Sequence, residues 1–169
     1  DLVFANRHAA IGRPDGAAEV PLAEHLLELR LRADGALIVV SEVTLADGVS
    51  DLPRLGIRLA LTPGLEQVEW LGRGPHENYV DRQASATIGR WRDTVTGMYV
   101  PYILPQEHGG RGDARWVALA DATIGLVVTG DQPFHFSASH LTTEDLLHAK
   151  HTCDLSPRPE SWLCLDHRH

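Results

Sequence analysis

The chain has 169 residues, 43% of them hydrophobic and 22% charged, and a net charge of −8 with histidine neutral. That length suits one domain or a piece of one, and the acidic balance excludes a phosphate-backbone or anionic-membrane binder, which needs a basic face. No apolar run approaches the ~18 residues of a membrane-spanning helix.

Alternation of apolar and polar residues dominates. In His25 to Arg32, Leu27, Leu29 and Leu31 share one face while Glu28, Arg30 and Arg32 share the other, which predicts a strand. Asp34-Gly35 is a hairpin signal, and Leu37, Val39, Val43 and Leu45 continue the alternation beyond it. Leu55 to Leu61 and Leu65 to Leu71 predict two further strands, separated by the turn Thr62-Pro63-Gly64. Residues 72 to 98 read as long irregular connections. Tyr99 to Leu104 is expected to be a short edge strand despite Pro101. Arg115 to Ala120, Thr123 to Thr129, Phe134 to Ser139 and Trp162 to Leu165 are the remaining strands. One short helix is expected to open at Thr142, whose hydroxyl can cap it, with Glu144 and Asp145 at its positive end, and to finish near His151. About nine strands with long loops predict an all-β fold of antiparallel sheets. One domain over residues 1–169 is the simplest division.

Two polar-aromatic clusters carry the candidate chemistry. The first runs from Trp70 to Tyr79, where two glycines and a proline shape a loop presenting His76, Glu77, Asn78 and Tyr79. The second runs from Tyr102 to Trp116 and crowds Gln106, Glu107, His108, Arg111 and Asp113 into a turn. Amides, carboxylates and guanidiniums beside aromatic rings suit sugar hydroxyls and ring faces. Both loops also read as purely structural, with each glutamate in an ion pair: Arg73 and Arg82 lie near Glu77, and Arg111 lies near Glu107. A glycosidase needs two carboxyls at a fixed separation, one with a raised pKa. Neighbouring arginines lower a carboxyl pKa, so no catalytic residue is assigned in this chain. His135, His140, His148 and His151 form a loose group without a recognisable metal spacing, and no metal site is expected. Cys153 and Cys164 are read as free thiols, and with no basic-then-apolar leader in the sequence the expected compartment is the cytoplasm.

The run Trp70-Leu71-Gly72-Arg73-Gly74-Pro75-His76-Glu77-Asn78-Tyr79 followed by Asp81-Arg82 resembles a signature of the large β-galactosidases of glycoside hydrolase family 2. Tyr99-Val100-Pro101-Tyr102 with Pro105-Gln106-Glu107 and Gly109 is similar to a second signature, and Arg115-Trp116 to the strand that follows it. Phe136-Ser137-Ala138, His140, Asp145-Leu146, His148, His151 and Leu155 resemble a third, and Asp166-His167-Arg168 the start of a fourth. The likeness extends from about Leu22 onward. The family often has Asn where this chain has His108.

The resemblance implies the C-terminal domain of such an enzyme, a β-supersandwich similar to galactose mutarotase, here expected to be incomplete at both ends. It implies a (β/α)8 barrel elsewhere that carries the catalytic acid and nucleophile. Any divalent metal of the intact enzymes belongs to that barrel, and no cofactor is expected in this chain. The implied partners are the barrel, a galactoside and further copies of the enzyme, with no nucleic acid and no membrane. The expected function is that of a non-catalytic domain that packs on the barrel and helps shape a site for terminal β-D-galactosides. Glu77, Tyr79, Gln106, Glu107, His108 and Arg111 are the candidate substrate-binding residues. A stand-alone carbohydrate-binding or epimerase-like β-sandwich and a purely structural assembly domain are the alternatives.

Overall fold

A computed structural model of the chain describes residues 2–12, 20–49, 52 and 54–168. It divides into two compact units, Asp1–Leu52 and Pro53–His169.

The first unit is a three-stranded antiparallel sheet in the order β1 (Leu2–Gly12), β2 (Val20–Leu31), β3 (Leu37–Leu45). The register places Leu31 between Leu2 and Leu37, and Leu29 between Phe4 and Val39, so apolar side chains form cross-strand rows. The β2–β3 hairpin turns at Asp34-Gly35 as the sequence predicts. Gly35 takes φ 85, and the Arg32 and Gly35 amides close the turn on Ala36 and Arg32 carbonyls.

The second unit is a six-stranded antiparallel sheet built from β4 (Leu55–Leu61), β5 (Gln67–Gly74), β6 (Thr87–Thr94), β7 (Arg111–Ala120), β8 (Gly125–Ser139) and β9 (Ser161–Arg168). The strand order is β4-β9-β8-β7-β5-β6. Its core gathers Leu65, Val68, Trp70, Val95, Met98, Val117, Leu119, Phe136 and Leu163. Strand β5 shows why: Val68, Trp70, Gly72 and Gly74 alternate inward, and Trp70 meets Phe136 edge-on at 5.8 Å. The helix α1 (Thr143–His148) carries the expected cap. The Thr142 hydroxyl accepts from the Asp145 amide, the Asp145 carboxylate accepts from the Thr142 amide, and Arg158 closes on Asp145 at 2.7 and 2.8 Å.

The all-β expectation is met in each unit. Several element boundaries differ. Tyr99 to Leu104 is a loop rather than an edge strand, because its ends turn back on themselves: the Tyr99 amide donates to the Thr96 carbonyl and the Tyr102 amide to the Val100 carbonyl. Within the expected connection 72–98, residues Thr87–Thr94 form β6, which pairs Trp91 with Trp70. The two strands expected over 123–129 and 134–139 are one continuous strand, β8. Strand β1 lies outside the elements that alternation picked out.

Candidate functional site

The first polar loop leaves β5 at Gly74 and the second enters β7 at Arg111, at the same end of the antiparallel β5–β7 pair. Strand β7 pairs with β8 through register shifts between Arg111 and Ala114 and again between Ala114 and Trp116, with Asp113 at φ 51. Such bulges re-aim side chains near sites. Arg73 on β5 anchors this irregular stretch by donating to Asp113 at 2.6 Å and to the Ala86 carbonyl at 2.9 Å.

Glu77 ties the two loops together. One carboxylate oxygen accepts from the Tyr102 hydroxyl and, at 2.6 Å, from Arg82; the other accepts from the Gly109 amide at 2.9 Å. Its side chain is only 9% exposed. Burial pushes its pKa up, but these three donors outweigh burial and leave it below the usual glutamate value. Gly109 can point its amide there because it adopts φ 76, a conformation that disfavours residues with a Cβ. Asn78 repeats the theme beside it. It is fully buried, its amide donates to the Gly110 carbonyl at 2.9 Å, and its side-chain oxygen accepts from the Gly112 amide at 2.9 Å. A side chain at Gly110 would come within 2.5 Å of the His135 ring and 2.8 Å of Tyr79, so only glycine fits.

Glu107 is held differently. Arg54, at the head of β4, donates to Glu107 through one nitrogen and to both oxygens of Asp166 at 2.8 Å through the others. Asp166 is buried, with His135 Nδ1 3.8 Å away. Burial raises the Asp166 pKa, but His135 and Arg54 outweigh it and hold the carboxyl below its usual value. Arg54 is in turn pushed up in spite of burial, by Asp166 first and then Glu107. The sequence-level partner of Glu107 was Arg111. Instead Arg111 is buried, donates to the Gly109 and Gly110 carbonyls at 3.0 and 3.3 Å, and stacks on Trp70 at 5.3 Å. Burial lowers its pKa to about 10, which keeps it protonated at neutral pH.

An open groove of about 510 Å³ is lined by Tyr79, Val80, Asp81, Arg82, Tyr102, Gln106 and Glu107. Three of the six candidate residues, Tyr79, Gln106 and Glu107, therefore share one surface with a second tyrosine ring, Tyr102, and the Arg82 guanidinium. Arg82 lies 5.5 Å over the Tyr79 ring, and the Tyr79 hydroxyl accepts from the Gly110 amide at 3.3 Å. Burial above all, with the Glu77 and Glu107 charges adding, pushes the Tyr79 pKa up to about 12. The other three candidates, Glu77, His108 and Arg111, are turned inward as supports. His108 is buried, meets Tyr99 edge-on at 4.8 Å, and is kept neutral by burial. With Glu107, Ser137, Thr142 and Trp162 it lines a pocket of about 20 Å³, room for one water.

Residues that the candidate set missed are Arg54, Asn78, Tyr102, His135 and Asp166. Tyr102, Asn78 and Asp166 sit inside the quoted motifs, which was the available signal; Arg54 carried none. Among the described residues no group of three or more His, Cys, Asp or Glu side chains could hold a metal ion. His140 bonds Glu66 at 2.8 Å and the Glu160 carbonyl at 3.1 Å, and Cys153 and Cys164 are free thiols. No helix among the described residues is long and apolar enough to cross a membrane.

The loops of the six-stranded antiparallel sheet build a polar, tyrosine-walled groove beside ion-paired carboxylates, on an all-β module. The chain belongs to the Beta galactosidase small chain family, whose pattern matches residues 12–169. It is similar to the beta-galactosidase of Aeromonas hydrophila, 40% identical over 141 residues, and to that of Vibrio cholerae, 43% identical over 128 residues. The Vibrio vulnificus beta-galactosidase is 38% identical over 143 residues. These alignments cover 76 to 82% of this chain but only 12 to 13% of the relatives, so the chain spans about an eighth of their length.

Proposed function

We propose that the chain is a non-catalytic part of a β-galactosidase, the fragment of its C-terminal domain that packs on the catalytic barrel and helps shape the site for terminal β-D-galactosides. The observation that carries this reading is how two carboxylates are bonded, Glu77 on the first polar loop and Asp166 on β9. Glu77 and Asp166 are both held below their usual pKa by fixed donors, whereas a glycosidase acid needs a raised pKa and a free proton to give. They brace loops; they do not cleave. The groove is the part that faces ligand. Tyr79 and Tyr102 wall the groove, and Gln106 and Glu107 offer hydroxyl partners, an arrangement suited to a hexose.

The test mixes the purified chain with the Aeromonas hydrophila enzyme from which the matching segment has been deleted, and follows a chromogenic β-galactoside. The chain alone is expected to be silent, and turnover is expected on mixing. Turnover by the chain alone that Glu77→Gln or Glu107→Gln abolishes would overturn the reading, as would silence of the mixture. Direct titration with galactose separates it from a stand-alone carbohydrate-binding module, which would bind the sugar without any partner.

A further inference from the structure

The loop that joins β6 to β7 carries an apolar tip that nothing in the groove uses. Ile103 is 97% exposed and Leu104 64%, and Val80, on the groove that Tyr102 also lines, is 72% exposed. A scattered surface leucine is ordinary. An isoleucine held almost wholly in water beside a second large apolar residue, on a loop tied down at both ends, is not. The ties are specific. The Tyr102 hydroxyl donates to Glu77 and accepts from Arg82 at 3.1 Å, the Tyr102 amide donates to the Val100 carbonyl at 2.9 Å, the Tyr99 ring packs on His108, and Pro105 is buried. Pro101 and Pro105 restrict the backbone on either side. The tip is thus preorganised, so docking it costs little conformational entropy. Next to it, Asp81, Arg82 and Glu107 line the groove. An apolar centre beside a polar margin is the layout of a protein–protein interface.

We propose that Ile103 and Leu104 form a docking tip that seats in an apolar pocket on the catalytic part of the same enzyme. This rests on the function proposed above and names the surface through which it acts. The occupant follows from the alignments: the matched relatives carry some seven-eighths of their length outside the segment this chain matches. A segment that small must meet the remainder through some of its surface, and this tip is an apolar surface held in place by its loop, next in sequence to Tyr102 of the candidate groove.

The experiment titrates the full chain and its variants into the truncated Aeromonas hydrophila enzyme and reads the concentration that restores half-maximal turnover. Ile103→Asp, Ile103→Lys and Leu104→Asp are compared with Leu147→Asp, an exposed apolar site on α1 whose exposure (79%) falls between those of Ile103 and Leu104. Each Ile103 variant, and Leu104→Asp, is expected to raise the half-maximal concentration at least about tenfold while its own melting temperature stays that of the unaltered chain. Leu147→Asp and Ile103→Leu are expected to change neither. Recovery by both Ile103 variants at the unaltered concentration overturns the docking tip and leaves the functional reading standing. A loss with Asp but not with Lys also overturns it, since that reports a charge effect rather than an apolar seat. Failure of the unaltered chain to restore any turnover overturns the functional reading and the tip with it.

Discussion

Glu77 and Glu107 occupy similar places in two motif loops, each within a few residues of an aromatic side chain and an arginine, yet they are held in opposite ways. Glu77 is closed by donors from its own two loops, Arg82, Tyr102 and Gly109, and its side chain is 9% exposed. Glu107 is reached by Arg54 from 53 residues away and remains 32% exposed on the groove wall. A carboxylate saturated with donors inside a loop orders that loop. One shared between a distant arginine and an open groove can exchange part of its bonding with a ligand. The same residue type is therefore enclosed by its own loops at one position and left open to a groove at the other, and the difference lies in the partners.

The largest expected effect lies behind Glu107. Asp166 is buried and holds Arg54 through two hydrogen bonds. Asp166→Ala should cost about 3 kcal/mol in a urea denaturation series, because it strands a half-buried guanidinium. A loss under ~1 kcal/mol would show that Arg54 is held by Glu107 alone. Next comes Glu77→Gln, expected to cost about 2 kcal/mol through loss of charge-assisted bonds from Arg82 and the Gly109 amide.

The pH dependence sharpens the same contrast. Glu77 and Asp166 have folded-state pKa values below their ordinary 4.5 and 3.8. A depressed folded value means the stabilisation is fully present above the unfolded value and is lost as pH falls through the folded one. The contribution of these two carboxylates should therefore be level from neutral pH down to about 4.5 and fall below it, on top of the earlier loss that buried His108 brings as pH drops below its ordinary 6.5, and Glu77→Gln should make the fall below about 4.5 shallower. Denaturation midpoints at pH 7, 4 and 3 check this, and a midpoint that stays flat to pH 3 would contradict it.

How much of this was legible in the sequence depended on distance along the chain. The helix cap at Thr142, with Asp145 three residues on, and the Glu77–Arg82 pair, five residues apart, are local and were readable. The Asp34-Gly35 turn was readable for the same reason. Strand β6 was not, because Thr87–Thr94 holds only Ile88 and Trp91 as large apolar residues, and its place comes from pairing with β5. The 99–104 stretch has strand-forming residues, but tertiary hydrogen bonds made through Tyr102 fold it as a loop. Arg54 stands just before β4 and carries no local signal. Its partners lie 53 and 112 positions away, and no spacing rule reaches them.

The smallest expected effect on stability is that of Glu107→Gln, within about 1 kcal/mol, since the pair it breaks is partly solvated. Its consequence should appear instead in the reconstituted enzyme as a raised KM for galactoside. A stability loss matching that of Glu77→Gln, with KM unchanged, would place Glu107 among the braces as well.

The central claim is that Glu77 and Asp166 hold structure and do not transfer protons. A carbon-13 NMR titration of the Glu77 side chain in the folded chain tests it most directly. The structure requires Glu77 to titrate below its ordinary value of 4.5, with the Tyr102 and Gly109 signals moving in the same transition. A value near or above about 6, the range of a glycosidase general acid, would contradict the account and make Glu77 a catalytic group.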